Sequence, residues 1–426
     1  MKNKLTSEKL KLICLNLSDE ISKGDNFLSN KDVTIFNSSI IEIKNSKNLL
    51  LASRGWYGNV RSWSGINFVV LSLFTNKLKK IKQTILDIDP KIIKDNKKKF
   101  KNQSKKIITH GESLSEGPED PRLFYHKNDI YILINQLNDK KKRHMFISKV
   151  DLKNLTYGDK IEICKDLSTD FEKNWGPFIH KNKLYMIYDI NPLKIFELDD
   201  NFNCKQVCNL NDNILKKFSE SYPHLDFHIR NSTNLINIGN NQYLGLGHGV
   251  LDYKNNTDIN KYLIPSIDKS KYSQNDKDYF KRFHKLYTGF FYKLDMNSKE
   301  ITEISPFFQL PNYESKQELI FFPTSIYLDD KKYVNISYNV GDNRSYFLRL
   351  HLDIIDISLY DKFSVDFQLN HNINQNYYLE LVRNIRKSLG YPVQKKKYYR
   401  FGDVDRLYAS KRKRLKNKRK TQRKKK

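Results

Sequence analysis

The segment Gly117-Pro118-Glu119-Asp120-Pro121-Arg122 carries the sharpest chemical signal in the chain. Two adjacent carboxylates sit between prolines that stiffen the loop, with a guanidinium just after, and a general acid must be held in place beside the bond it protonates. Asp120 is the candidate acid, Arg122 the group that orients it or a ligand oxyanion, and Glu119 a neighbouring substrate contact. An Asp/Arg pair that only holds a turn accounts for the same residues. A second set begins at Arg54, which follows Leu49-Leu50-Leu51 and opens Arg54-Gly55-Trp56-Tyr57. Aromatic faces stack on the apolar side of a pyranose and a guanidinium binds hydroxyls or phosphate, so Arg54 and Trp56 read as sugar contacts. The structural alternative is an arginine packed among aromatics. Arg230, with Ser232 and Thr233, and His248, between Gly247 and Gly249, can bind an anion, although a histidine beside glycines also serves as a plain hydrogen-bonder. Trp175, Tyr188, Phe322, Tyr338 and Asp342 complete the set, Asp342 either gripping a sugar hydroxyl or capping a turn.

These residues are far apart along the chain, so a repeated element must gather them. Five segments share one pattern: a polar or proline-containing start, a short apolar strand, an Asn/Gly/Lys/Asp turn, then a strand ending in Tyr or a polar group. They are 39–54, 119–135, 175–188, 231–248 and 322–338. Runs of β-formers on either side of a turn cluster read as hairpins. Their spacing leaves room for two further strands per unit, such as 145–152 and 195–198, and four strands make a propeller blade. The expected fold is all-β, a five-bladed β-propeller with a C-terminal helix and a disordered basic tail. A β-sandwich with long loops is the competing architecture, but its strands come at closer spacing. The expected organisation is an extension at 1–30, the propeller at 31–370 with a hydrophilic insertion at 254–285, a helix at 371–394 and a tail at 395–426.

Composition agrees with a strand-rich body. The 426 residues include 26 Tyr and 25 Phe, which favour strands, within a hydrophobic fraction of 38%. Part of the formal net charge of +28 lies in 411–426, where nearly every residue is Lys or Arg. Such a block repels itself and stays unfolded. It suits a polyanion or nucleic acid, a nuclear-import signal, virion-type packaging, or a solubilising role. The general excess of Lys, Asn and Ile is also what an AT-rich coding sequence produces. Cys14, Cys164, Cys204 and Cys208 lack the spacing of a zinc site and read as idle thiols. No secretory signal and no bilayer-length apolar stretch is recognisable, which points to a cytoplasmic or other intracellular soluble compartment. Nothing calls for a metal, a nucleotide loop or another cofactor.

The order of motifs resembles the β-mannoside phosphorylases and hydrolases of glycoside hydrolase family 130 and their mannosyltransferase relatives. The resemblance runs from about Ser39 to Leu350. It rests on Glu119-Asp120-Pro121-Arg122, on the stretch from Tyr287 to Asp295, on 310–314 and 320–323, and on Ser337-Tyr338 with Gly341-Asp342. It implies an inverting reaction on β-mannosides, with Asp120 as a general acid whose proton travels through a sugar hydroxyl. It also implies that Arg54 and His248 occupy the family's Arg and His-Gly positions. Where phosphorylases of the family hold phosphate with an Arg ending the third inner strand, this chain has Tyr188-Asp189. That departure favours a transferase or hydrolase, unless Arg230 compensates. The expected partners are a carbohydrate substrate and inorganic phosphate or a sugar-phosphate donor. The competing readings are a non-catalytic glycan-binding scaffold and a nucleic-acid binder acting through the tail.

Overall fold

A computed structural model describes residues 13–59, 64–94, 117–167, 171–211, 226–252, 285–305, 320–356 and 360–361. The expected helix at 371–394, the basic tail at 395–426, the motif at 310–314 and the insertion at 254–285, Lys285 aside, lie outside the described residues. The described residues begin with β1 (Ile13–Asn16) and α1 (Leu17–Ser22), whose first turn is capped by the Asn16 side chain accepting from the Asp19 amide.

Five antiparallel sheets follow. Blade I holds β2 (Val33–Glu42), β3 (Leu49–Asn59), β4 (Ser64–Phe74) and β5 (Lys80–Leu86). Blade II holds β6 (Glu119–His126), β7 (Asp129–Leu137), β8 (Arg143–Asp151) and the short β9 (Thr156–Tyr157) and β10 (Ile161–Glu162). Blade III is β11 (Gly176–His180), β12 (Lys183–Ile190), β13 (Leu193–Leu198) and β14 (Cys204–Leu210). Blade IV is β15 (Asp226–Asn231), β16 (Ile236–Gly239), β17 (Gln242–Asp252), β18 (Lys285–Asp295) and β19 (Glu300–Ile304). Blade V is β20 (Phe321–Leu328), β21 (Tyr333–Val340) and β22 (Arg344–His351), with β23 (Tyr360–Asp361) returning to the outer edge of blade IV. The fold is a five-bladed β-propeller, and each hairpin legible in the sequence is the inner pair of strands of one blade.

The ring closes through the chain start. β1 pairs with β22, so residues 13–16, assigned by the sequence to an extension, supply the fourth strand of blade V. Four apolar-leaning residues were too short a run to show this pairing in advance.

The core lies in the seams between blades. Successive strand residues point to opposite faces, and both faces of a blade are covered by neighbours. Leu50 and Ala52 accordingly pack against Leu123 and Ile132 of blade II, whereas Leu49 and Leu51 pack with Leu17, Ile21 and Phe347 on the blade V side. This is why the inner hairpins read as continuous apolar runs rather than as alternation. The II–III seam is also crossed by a disulfide, Cys164–Cys204, with Cα atoms 4.9 Å apart. The idle-thiol reading is corrected for these two residues. They stand 40 positions apart, and only the seam brings them together. Cys208 is free and partly buried. No helix among the described residues is long and apolar enough to cross a membrane.

Candidate active site

Several inner hairpins slip in register, the β20–β21 pair between Pro323 and Ser325 among them, and two of the slips carry site residues. The β2–β3 register slips between Phe36 and Ser39, and the β6–β7 register slips between Glu119 and Arg122. Such bulges re-aim one side chain out of the pleat. The re-aimed residues are Asn37 and Asp120, both in left-handed backbone with φ of 47° and 49°. Asp342, on the turn after β21, also has φ of 49°, and Asn174, just before β11, has φ of 66°. Non-glycine residues seldom adopt this conformation, and Asn and Asp do so most readily. All four line one cavity of about 990 Å³ whose walls come from all five blades.

On the arc formed by blades V, I and II, charge is paired densely. Arg54, with 7% of its side chain exposed, places Nη1 3.0 Å from Asp120 Oδ1 and Nη2 3.1 Å from Glu119 Oε1. Asn37 Nδ2 donates to the same Asp120 oxygen at 2.7 Å. Arg54 Nε donates to Asn67 Oδ1 at 2.8 Å, and Asn67 Nδ2 donates to Glu119 Oε1 at 3.1 Å. Arg143 Nη2 reaches Glu119 Oε1 at 2.8 Å while its Nη1 donates to Asn135 Oδ1 at 2.9 Å. Burial alone would push the Asp120 carboxyl up, but Arg54, the Asn37 amide and Arg122 outweigh it and hold the group below the usual carboxylate range. Asp342 goes the other way. Desolvation and the nearby Asp120 charge push its carboxyl up to about 6, against Arg54, Lys173 and the Asn339 amide.

The arc formed by blades III and IV gathers cations beside the carboxyls of Glu172 and Asp189. Lys173, Arg230 and Lys285 all line the cavity. Desolvation lowers the Lys173 ammonium, Arg230 and Lys285 lower it further, and Asp120 and Glu119 oppose them, so these five charges share one field. His248 pairs with Arg230 across the β15–β17 ladder and is 1% exposed. Its ring stacks on Tyr287 and packs against Phe322, and its Nδ1 lies 2.7 Å from Ser232 Oγ. Burial, then Arg230, Lys173 and Arg122, drive His248 well below the usual imidazole range, so it is neutral at neutral pH. Desolvation and Asp342 push the Tyr287 hydroxyl up to about 12 against Arg230. Among the described residues, no group of three or more His, Cys, Asp or Glu side chains is placed to hold a metal ion.

Solved structures resemble the chain at low identity. The chain is similar in fold to a mannose phosphorylase from Leishmania mexicana in complex with a phosphate ion, at 12% identity and a TM-score of 0.42, covering 76% of this chain and 86% of that one. A β-1,2-mannobiose phosphorylase from Listeria innocua is 11% identical with a TM-score of 0.45, covering 77% and 93%. A GDP-Man-dependent mannosyltransferase from Leishmania mexicana is 10% identical with a TM-score of 0.38, covering 75% and 86%. No family model matches the chain, and no curated protein matches it.

Of the residues singled out from the sequence, Arg54, Glu119, Asp120, Tyr188, Arg230, His248, Phe322 and Asp342 share the cavity wall. Four others stand behind it. Trp56 is fully buried in blade I. Tyr338 is buried between blades IV and V with Phe321 and Tyr346, while its neighbour Asn339, on the opposite face of β21, is buried and bonds Asp342. Trp175 packs on Tyr188 and Phe196 and donates its Nε1–H to Glu172 Oε2 at 3.0 Å. Arg122 donates to the Trp175 carbonyl and lies 3.5 Å from Asn174 Oδ1, so it ties blade II to the start of blade III instead of facing a ligand. Burial brings its guanidinium down to about 10, against Asp120 and Tyr292. The wall also includes Asn37, Asn135, Arg143, Glu172, Lys173, Lys285 and Tyr287, which sequence reasoning did not single out as site residues. Glu172 accepts from Tyr188 Oη at 3.0 Å, and its carbonyl accepts from Asn135 Nδ2. A signal for Lys173 was present in Glu172-Lys173-Asn174, which abuts the third repeat.

Proposed function

We propose that the chain is a carbohydrate-active enzyme that transfers the glycosyl unit of a mannose-like β-glycoside with inversion, using phosphate or a phosphorylated sugar as the second reactant. One observation carries this reading: a single cavity sets the Arg54–Glu119–Asp120 network and Asp342 on one arc against Lys173, Arg230 and Lys285 on the other. Sugar hydroxyls suit the first arc, where carboxylates accept and Asn37 and Arg54 donate. A phosphate suits the second, whose wall offers two flexible ammonium groups and a guanidinium together with Tyr287. Three cations on this arc outnumber its two carboxyls, Glu172 and Asp189, which supports reading the partner as an anion that brings its own nucleophilic oxygen.

Asp120 is assigned to the reacting centre. The sequence made it the general acid, but Arg54 and the Asn37 amide hold it as a carboxylate at rest, suited to stabilising positive charge that develops on the sugar ring, and the proton for the leaving oxygen arrives during turnover through a sugar hydroxyl. Mannose specificity is supported by the order of motifs in the sequence. The test is to incubate the full-length chain with α-mannose 1-phosphate and a panel of sugar acceptors, and to follow phosphate release and β-mannoside formation. Wild type yields both, and Asp120→Asn binds glycan but yields neither. Product formation that survives Asp120→Asn removes Asp120 from the reaction, and absence of product with every donor and acceptor sinks the reading.

A further inference from the structure

We propose that Asp342 is the resident proton store of this site, the carboxyl that supplies the leaving oxygen with the proton Asp120 cannot hold. The inference rests on the glycosyl-transfer reading above, and it comes from the unequal company of the two carboxyls. Asp120 Oδ1 is met by a guanidinium and a primary amide at 3.0 and 2.7 Å, both donors that favour the ionised form. Among the described residues the one side chain hydrogen-bonded to Asp342 is the neutral amide of Asn339, at 3.0 Å, and no ion pair reaches it. Both carboxyls face the same cavity, and both lie in the field of Arg54. Two neighbouring carboxyls with one arginine committed to the first divide into a permanent carboxylate and a protonatable partner.

The groups facing Asp342 come from several elements. Arg54 on β3, Asp120 on β6, Lys173 ahead of β11 and Tyr287 on β18 interact with it electrostatically, and Asn339 on β21 bonds it. Desolvation and Asp120 prevail over the two cations and the amide, which leaves the proton on Asp342 up to about pH 6 and in part above it. In the cleavage direction the proton leaves Asp342 and passes through a hydroxyl of the bound sugar to the glycosidic oxygen. The C1–O bond breaks, its electron pair stays on that oxygen, and a phosphate oxygen bonds to C1 from the arc of blades III and IV. Asp342 is left as a carboxylate and regains its proton from solvent. In the synthetic direction the same carboxylate accepts the proton of the acceptor hydroxyl, so all charges and atoms balance.

Asp342→Asn is the variant of choice. Asparagine tolerates the left-handed backbone at this turn and is nearly isosteric, while it cannot titrate. Carbon-13 NMR of the full-length chain labelled at aspartate γ-carboxyls should show one resonance titrating near pH 6 that is missing in Asp342→Asn and moves to lower pH in Asp120→Asn. A near-6 resonance that persists in Asp342→Asn, or none in wild type, overturns the assignment whether or not the chain turns over any donor. On a turned-over glycoside with a poor alkyl leaving group, Asp342→Asn should lose about 10²–10⁴-fold in rate, and far less on a nitrophenyl glycoside whose leaving group needs no proton. Equal losses on the two substrates contradict proton donation. If wild type transforms no glycoside but the resonance behaves as expected, the proton store stands and the glycosyl-transfer reading falls.

Discussion

Replacing Arg54 with methionine tests whether the Glu119/Asp120 loop is held by charge. Methionine keeps much of the aliphatic bulk and removes three interactions: the contacts to Asp120 at 3.0 Å and Glu119 at 3.1 Å and the bond to Asn67 at 2.8 Å. Removing one partner of a buried ion pair costs roughly 3–5 kcal/mol, because the other charge stays behind unpaired. The lower end applies, at about 3 kcal/mol: Glu119 keeps Arg143 at 2.8 Å, and the two carboxylates retain 16% and 23% side-chain exposure. The loss should depend on pH with a definite sign. The Asp120 carboxyl is depressed in the folded chain, so its contribution is fully present above the unfolded value of 3.8 and is lost as pH falls through the folded value. The gap between wild type and Arg54→Met is therefore widest at pH 7 and narrows below about pH 4. Urea midpoints followed by tryptophan fluorescence at the two pH values measure it. An equal gap at both would mean that Arg54 matters as packing against Phe36 and Trp56, and the charge argument would fail.

Three further outcomes follow from the same geometry. Asp342→Asn should stabilise the fold at pH 7.5 by about 1–3 kcal/mol. The wild-type carboxyl is pushed up from 3.8 to about 6, so its ionisation burdens the folded state above pH 6 and not below pH 4; a thermal midpoint unchanged at high pH contradicts this. Gly117→Ala should cost more than about 1 kcal/mol and weaken glycan binding, since Gly117 has φ of 87° and an added Cβ would lie 2.1 Å from the Asn67 carbonyl oxygen. A variant as stable as wild type would show that the loop start is not constrained. Arg230→Gln should weaken mannose 1-phosphate binding roughly tenfold, the worth of a charge-assisted hydrogen bond, and reduce its salt dependence, as read by calorimetry at two ionic strengths. Unchanged affinity would exclude Arg230 from the anion side.

The hairpins were legible because each blade buries both faces of its inner strands, which leaves apolar runs flanked by turn chemistry. The ring closure was not, because β1 is four residues long and its partner β22 lies more than three hundred positions away. Asp120 and Arg54 stood out as charges set in stiff or apolar surroundings. Asn37 was missed because its role comes from a bulge, and an asparagine inside Phe36-Asn37-Ser38 carries no sign of left-handed backbone. Trp56 and Tyr338 were misplaced because adjacency to a site residue in sequence says nothing about which face of the strand a side chain takes. Arg122 shows the same limit: its charge pointed to a ligand, and its partners are the Trp175 carbonyl and Asn174 of the next blade.

The central claim is that one cavity holds a sugar between Asp120 and Asp342 while Arg230, Lys173 and Lys285 hold its phosphate. A crystal structure of the full-length chain soaked with α-mannose 1-phosphate tests it directly. The mannose ring should lie against Arg54, Asp120 and Asp342 with the phosphate on the cations of blades III and IV. Density for the ligand elsewhere, or an empty cavity at saturating concentration, would contradict it.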